Sequence, residues 1–177
     1  MILMFKPFPQ TTSFKRKVAD DAQVRIIWQP IIAKKRNVMR ISMLLSYAGG
    51  FKEAVAEVQE LEKAGLDVVW VPEAYSFDAP TAMGYLAANT ERVVIASGIL
   101  PIYTRTPSLL GMTAAGLDYL SDGRCMLGLG ASGPQVIEGF HGVPYTAPVA
   151  RIREIIDICR NVWQRERVQH MGKHYQV

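Results

Sequence analysis

From Met39 to Val177 the chain switches repeatedly between two hydrophobic periods, and that switching limits its fold more than any other feature. Arg40-Ile-Ser-Met-Leu-Leu45 is a short apolar run that reads as a strand. Phe51, Ala54, Val55, Val58 and Leu61 follow at helical spacing, and Ala64-Gly65 supplies a stop. Asp67 to Val71 is a second strand, β-branched and nearly all apolar, after which Asp78 is placed to cap a helix reaching about Ala88. Arg92 to Ser97 is a third strand. Thr106-Pro107 then offers a cap and a proline at the first helical position, for a helix running to about Leu120. Asp122-Gly123 makes a turn into a fourth strand, Cys125 to Leu129. Pro148 opens a helix with Ile152, Ile155, Ile156, Cys159, Val162 and Trp163 on one face, and the tail from His170 to Val177 reads as a hairpin or loop.

Four consecutive strand–helix units follow from this reading. Strands apolar on both faces fit a parallel sheet covered by helices. Strand–helix alternation implies right-handed crossovers and an α/β fold. In barrels and open sheets alike, function then sits in the loops after the strand C-termini.

Residues 1–38 stand apart. They hold eight basic and two acidic residues, against twelve and fourteen in 39–177, so the basic character belongs to this leader. With its prolines and the clusters Lys15-Arg-Lys17 and Lys34-Lys-Arg36, it reads as an irregular extension, poorly ordered or lying upstream of a natural start at Met39. The remainder carries no electrostatic footprint for nucleic acid. No apolar run reaches the roughly 18 residues of a membrane span. Cys125 and Cys159 form no framework, which fits a reducing, cytoplasmic setting.

Three loops carry candidate chemistry. Gly128, Gly130 and Gly133 spell G-x-G-x-x-G, a dinucleotide fingerprint when it closes the first strand of a domain. Here it closes the fourth, and Pro134 follows it, so the alternatives are a ligand-facing loop with accessible amides and the Ser132 hydroxyl, or a turn that needs glycine. Gly98 in the apolar run Ile95 to Pro101 marks a bulge, the close approach of a ligand, or a plain strand end. Glu73, just past the second strand, is costly there unless paired. It reads as an acid or base, as a group holding a ligand's polar edge, or as a salt-bridged loop carboxylate. His170 and His174 are four apart, but Gly172 between them disfavours the helix that would align them, and no metal site is expected.

Taken in order, Ala64 to Glu73, Ser97 to Pro101, Thr106-Pro107, Leu120 to Gln135 and Tyr145 to Trp163 resemble the luciferase-like monooxygenase superfamily, in particular its coenzyme F420-dependent oxidoreductases. The resemblance implies a (β/α)8 barrel with a deazaflavin, or FMN in other branches, across the strand C-termini. The family-like part, 39–177, has 139 residues, against about 250 for a whole barrel. The fold expected is therefore a partial TIM barrel of about four βα units, a half-barrel. The resemblance also implies a non-proline cis peptide backing the cofactor ring, matched here to Ser97–Gly98, and cofactor contacts from Glu73, Ser97, Gly98, Ile99, Gly130, Ala131, Ser132 and Gly133. Glu73 matches the acidic catalytic position, and Ala74 stands where many relatives carry histidine. A small organic substrate is implied, a homo-oligomer is allowed, and neither nucleic acid nor membrane is a partner.

Overall fold

Val, Ile and Leu runs of three to six residues, too short for helices, become strands here because each is bracketed by turn or cap residues. The structure, a computed structural model, describes residues 3–5, 39–46, 50–165 and 167–177. In chain order these give β1 (Leu3–Phe5), β2 (Ser42–Leu44), α1 (Phe51–Lys63), β3 (Val68–Val71), α2 (Ala79–Asn89), β4 (Val94–Ser97), β5 (Leu100–Pro101), α3 (Pro107–Leu120), β6 (Cys125–Gly130), α4 (Pro134–Ile137) and α5 (Pro148–Trp163). Each expected strand is present; the first three are trimmed by one or two residues at their starts, and the fourth runs one residue further, to Gly130.

The caps act as their chemistry dictates. The Asp78 carboxylate accepts from the Thr81 amide at 2.9 Å, and the Thr106 hydroxyl accepts from the Leu109 amide at 3.3 Å. Gly65 ends α1 at φ +106°, a conformation that other residues adopt only with strain. The short α4 is a difference from the sequence reading, which expected no helix before Pro148. Pro134 at its start and the amides of Val136 and Ile137, which donate to the Gly133 carbonyl, make one turn there.

The sheet runs β1-β6-β4-β3-β2, with β5 also on β6. β2, β3, β4 and β6 are parallel and adjacent in the order of the chain. A doubly wound nucleotide fold reverses its strand order at the switch point. The described strands show no reversal, and this is the arrangement of consecutive barrel strands with helices outside. Alternate strand residues Val69, Val71, Ile95, Leu127 and Leu129 enter one core with Leu86 of α2, Leu110 of α3 and Ile152 and Ile155 of α5. Helices α3 and α5 cross closely at Gly111, whose carbonyl accepts from the Trp163 indole at 2.9 Å. β1 is an addition that the sequence did not announce. It pairs antiparallel with β6, Leu3 opposite Leu129 and Phe5 opposite Leu127. The rest of the expected irregular extension lies outside the described residues.

The edge where the strands begin is stapled by two buried charges. The Glu62 carboxylate accepts from the amides of Glu91, Arg92 and Val93. The Arg124 guanidinium donates to the carbonyls of Ala87, Thr90, Val93 and Ser121 and to the Thr90 hydroxyl. Burial raises the Glu62 pKa, but the three amides and Arg124 outweigh it and hold the carboxyl below its ordinary value. These two charges satisfy the backbone at the end where the strands begin, the face of such folds that serves stability.

Candidate functional site

Because the strands are parallel, their C-terminal ends share one edge. The Gly98 amide donates to the Val71 carbonyl at 2.8 Å, and the Ile102 amide donates to the Gly130 carbonyl at 3.0 Å. The segments after β3, between β4 and β5, and after β6 therefore meet, as expected from sequence.

A register change sits in the middle of this edge. Ile95 pairs with Cys125, an offset of 30, whereas Leu100 pairs with Leu129, an offset of 29. One extra residue between β4 and β5 is a bulge. The peptide inside it, Gly98–Ile99, is cis. The resemblance placed the cis bond at Ser97–Gly98, and it lies one residue later. Ser97 is instead part of the ladder. Its hydroxyl donates to the Gly128 carbonyl at 2.9 Å and accepts from the Gly128 amide at 2.8 Å. Gly128 falls in the gap between the two registers, so the hydroxyl takes the ladder partner's place. Ser97 is fully buried with its hydroxyl bonded to the Gly128 backbone, while Gly98 and Ile99 are half-buried at the rim.

The glycine loop has the same cause. A Cβ at Gly128 would overlap the Ser97 carbonyl oxygen, and one at Gly130 would come within 2.9 Å of Ile99 Cγ1. Two of the three fingerprint glycines are there because the bulge leans on them. Ala131, Ser132 and Gly133 then leave the sheet half-buried, with Ser132 at φ +56°. A left-handed serine is uncommon. The Tyr145 hydroxyl donates to its carbonyl at 3.3 Å, which holds the loop against the segment before α5.

Glu73 is paired. Its oxygens accept from Arg105 Nη1 at 2.6 Å and Nη2 at 2.8 Å, and from the Ala79 amide at 2.7 Å. Arg105 also donates to Asp78 at 2.5 Å, so one guanidinium joins the loop after β3, the cap of α2 and the loop after β5. Of the three readings left open for Glu73, this geometry is the salt-bridged one, with 9 % of the side chain exposed. Burial opposes the charge on Arg105, yet Glu73 and Asp78 hold it above its ordinary value. Sequence reasoning gave Arg105 no role. The signal was two opposite charges in loops that follow neighbouring strands.

Above this cluster the loops carry aromatic side chains. Tyr75 meets Phe140 edge-on at 5.6 Å, and Tyr103 meets Tyr145 at 5.2 Å. The histidines do not gather. His170 sits beside Glu154 at 3.4 Å, in a segment that folds back on itself through a single bridge between Met171 and Gln176. Among the described residues no cluster of His, Cys, Asp and Glu could hold a metal ion, and no helix is long and apolar enough to cross a membrane.

The rim can take a flat ligand. It offers half-buried backbone at Gly98–Ile99, with Ile99 packed against Gly130, and a half-buried segment of small residues at 131–133 that follows β6. A sequence profile described as luciferase-like monooxygenase matches residues 38–177. A Mycobacterium tuberculosis protein with the provisional name coenzyme F420-dependent oxidoreductase is 41% identical over 142 residues, 78% of this chain and 41% of that protein. The coenzyme F420-dependent tetrahydromethanopterin reductase of Methanopyrus kandleri superposes with a TM-score of 0.69 at 20% identity, over 77% of this chain and 43% of that one. The oxygenating constituent of 3,6-diketocamphane monooxygenase from Pseudomonas putida, solved with FMN, gives 0.68 at 19% identity, over 79% and 43%. The two superpositions speak for the fold, and the chain spans about two fifths of the length of each of these three proteins. Profile, fold and the ordered strand-end loops agree, and the chain belongs to the luciferase-like monooxygenase family.

Proposed function

We propose that this chain forms the cofactor-binding rim, four strands wide, of a cytoplasmic F420-dependent oxidoreductase acting on a small organic substrate. The observation that carries the reading is the bulge between β4 and β5, which brings Gly98–Ile99 to the strand C-terminal edge beside Gly130. When bound, a deazaflavin supplies hydride transfer at its C5. The chain's own residues do the positioning. Gly98 and Ile99 back the ring, Gly130 lets the bulge close on β6, and the backbone of Ala131, Ser132 and Gly133 borders the opposite side. Glu73 acts through Arg105, fixing the loops around the ring and presenting the remaining lone pairs of its carboxylate to it. Two buried cysteines without a disulfide suit a reducing compartment.

The 41% identity to the Mycobacterium tuberculosis protein supports the deazaflavin reading. The likeness to the FMN-bound monooxygenase supports FMN as the second reading. Titrating the chain with each cofactor, followed by absorbance, separates them. Binding of F420, weaker than about 1 μM and at least about tenfold tighter than FMN, is expected. Replacing Gly98 by Val, whose Cβ starts 3.3 Å from that of Trp70, abolishes it. A preference for FMN overturns the first reading, and unchanged affinity in Gly98→Val overturns the ring-backing role.

A further inference from the structure

A cavity of about 400 Å³ opens beside α5, and neither the 97–99 nor the 130–133 segment lines it. Its walls include Tyr103, Arg105, Pro107, Val143, Arg151 and Tyr175. The two arginines differ in how their charge is balanced. Arg105 is neutralised by Glu73 and Asp78. Arg151 has no carboxylate within ion-pair distance among the described residues. Its Nε donates to the Thr146 carbonyl at 3.0 Å and its Nη2 to the Thr146 hydroxyl at 3.4 Å, which leaves Nη1 without a partner among them. The guanidinium lies 5.8 Å from the Tyr103 ring centre and 5.4 Å from that of Tyr175. An arginine held between two aromatic faces keeps a donor edge fixed while its own charge stays uncompensated.

This arrangement is built, because a separate device sets Tyr175 in place. Glu154, one turn along α5 from Arg151, turns away from it and accepts from the amides of Lys173, His174 and Tyr175. Burial opposes ionisation of Glu154, but the His174 and Tyr175 amides and the His170 ring hold its carboxyl below the ordinary value. A Cβ at Gly172 would overlap this carboxylate, so the glycine admits the hairpin. The carboxylate that sequence spacing would offer to Arg151 is thus spent on positioning its aromatic lid.

We propose that this cavity is a binding site for a small organic anion: a carboxylate on the Nη1 edge of Arg151 and a flat apolar body against the walls formed by Tyr103, Val143 and Tyr175. The site is independent of the rim reading. Its size is at the small end of ligand pockets, and its apolar walls favour an aromatic acid over a bare inorganic anion. The test titrates the full chain with benzoate, benzyl alcohol and inorganic phosphate, following ring-proton resonances of Tyr103 and Tyr175. Benzoate is expected to shift both rings and to bind in about the millimolar range, with the alcohol and phosphate each about tenfold weaker. Arg151→Met weakens benzoate about tenfold, while Arg153→Met, on the exposed side of α5, leaves it within about twofold. Equal binding by Arg151→Met, equal binding of benzyl alcohol or of phosphate, or saturation by benzoate without movement of either ring overturns the proposal. The ring-shift readout on the unaltered chain stands even if a variant does not fold.

Discussion

The contact between the bulge and β6 makes a quantitative claim that two alanines can test. At Gly128 a Cβ would overlap the Ser97 carbonyl oxygen, a backbone atom that cannot rotate away. Moving it also breaks the two hydrogen bonds that the Ser97 hydroxyl makes to Gly128. Each is worth about 1 kcal/mol net, and overpacking adds about 1–3 kcal/mol. Gly128→Ala is therefore expected to cost about 3–5 kcal/mol, a large fraction of the stability of a domain this size. Gly116 is the matched control. It is exposed within α3, and a Cβ there meets nothing within 4 Å. Gly116→Ala is expected to stabilise by about 0.5–1 kcal/mol, because alanine loses less backbone entropy in a helix. Urea unfolding followed by circular dichroism measures both. A Gly128→Ala midpoint equal to that of the unaltered chain, or shifts of the same sign for the two variants, would refute the close-approach reasoning.

Three further outcomes follow from the charges and the thiols. Glu62 has its folded pKa lowered below the ordinary carboxylate value, so its stabilisation is fully present above that ordinary value and is lost as pH falls through the folded pKa. The stability gap between the unaltered chain and Glu62→Gln should be widest near about pH 7 and shrink below about pH 4; a gap independent of pH in denaturant titrations would contradict the assignment. Arg105→Met strips Glu73 of its partner in a site where 9 % of that side chain is exposed. It should cost about 3 kcal/mol in thermal or urea unfolding, and a loss under about 0.5 kcal/mol would show the pair to be screened like a surface bridge. Burial pushes the Cys159 thiol up to about 12. Mass spectrometry should find it unlabelled by iodoacetamide near neutral pH until the chain is denatured, and labelling of the native protein would show that α3 and α5 separate.

The secondary structure and the parallel class were legible because the signals were local: β-branched runs, Asp78 and Thr106 at cap positions, prolines at first helical turns. The meeting of three loops at one edge followed from parallel strands alone. What escaped was non-local. The offset change between Ile95 and Leu100 is a property of pairing with β6, so Gly98 could announce a bulge but not that the cis bond follows it. Gly128 and Gly130 matched a nucleotide motif because glycine spacing records where backbone must come close, and a neighbouring strand demands the same absence of side chain as a phosphate does. Arg105, Glu62 and Arg124 join segments about thirty residues apart, and nothing at their own positions shows which partner satisfies them.

A strand has two hydrogen-bonding borders and no third. On β6 one border belongs to β4 and β5, and Leu3, Met4 and Phe5 occupy the other opposite Leu129, Gly128 and Leu127. A parallel newcomer to those positions would find the seats taken by the three residues of β1. Continuation of the sheet beyond β6 and retention of β1 are thus mutually exclusive, and whichever holds the border reports on the absence of its rival.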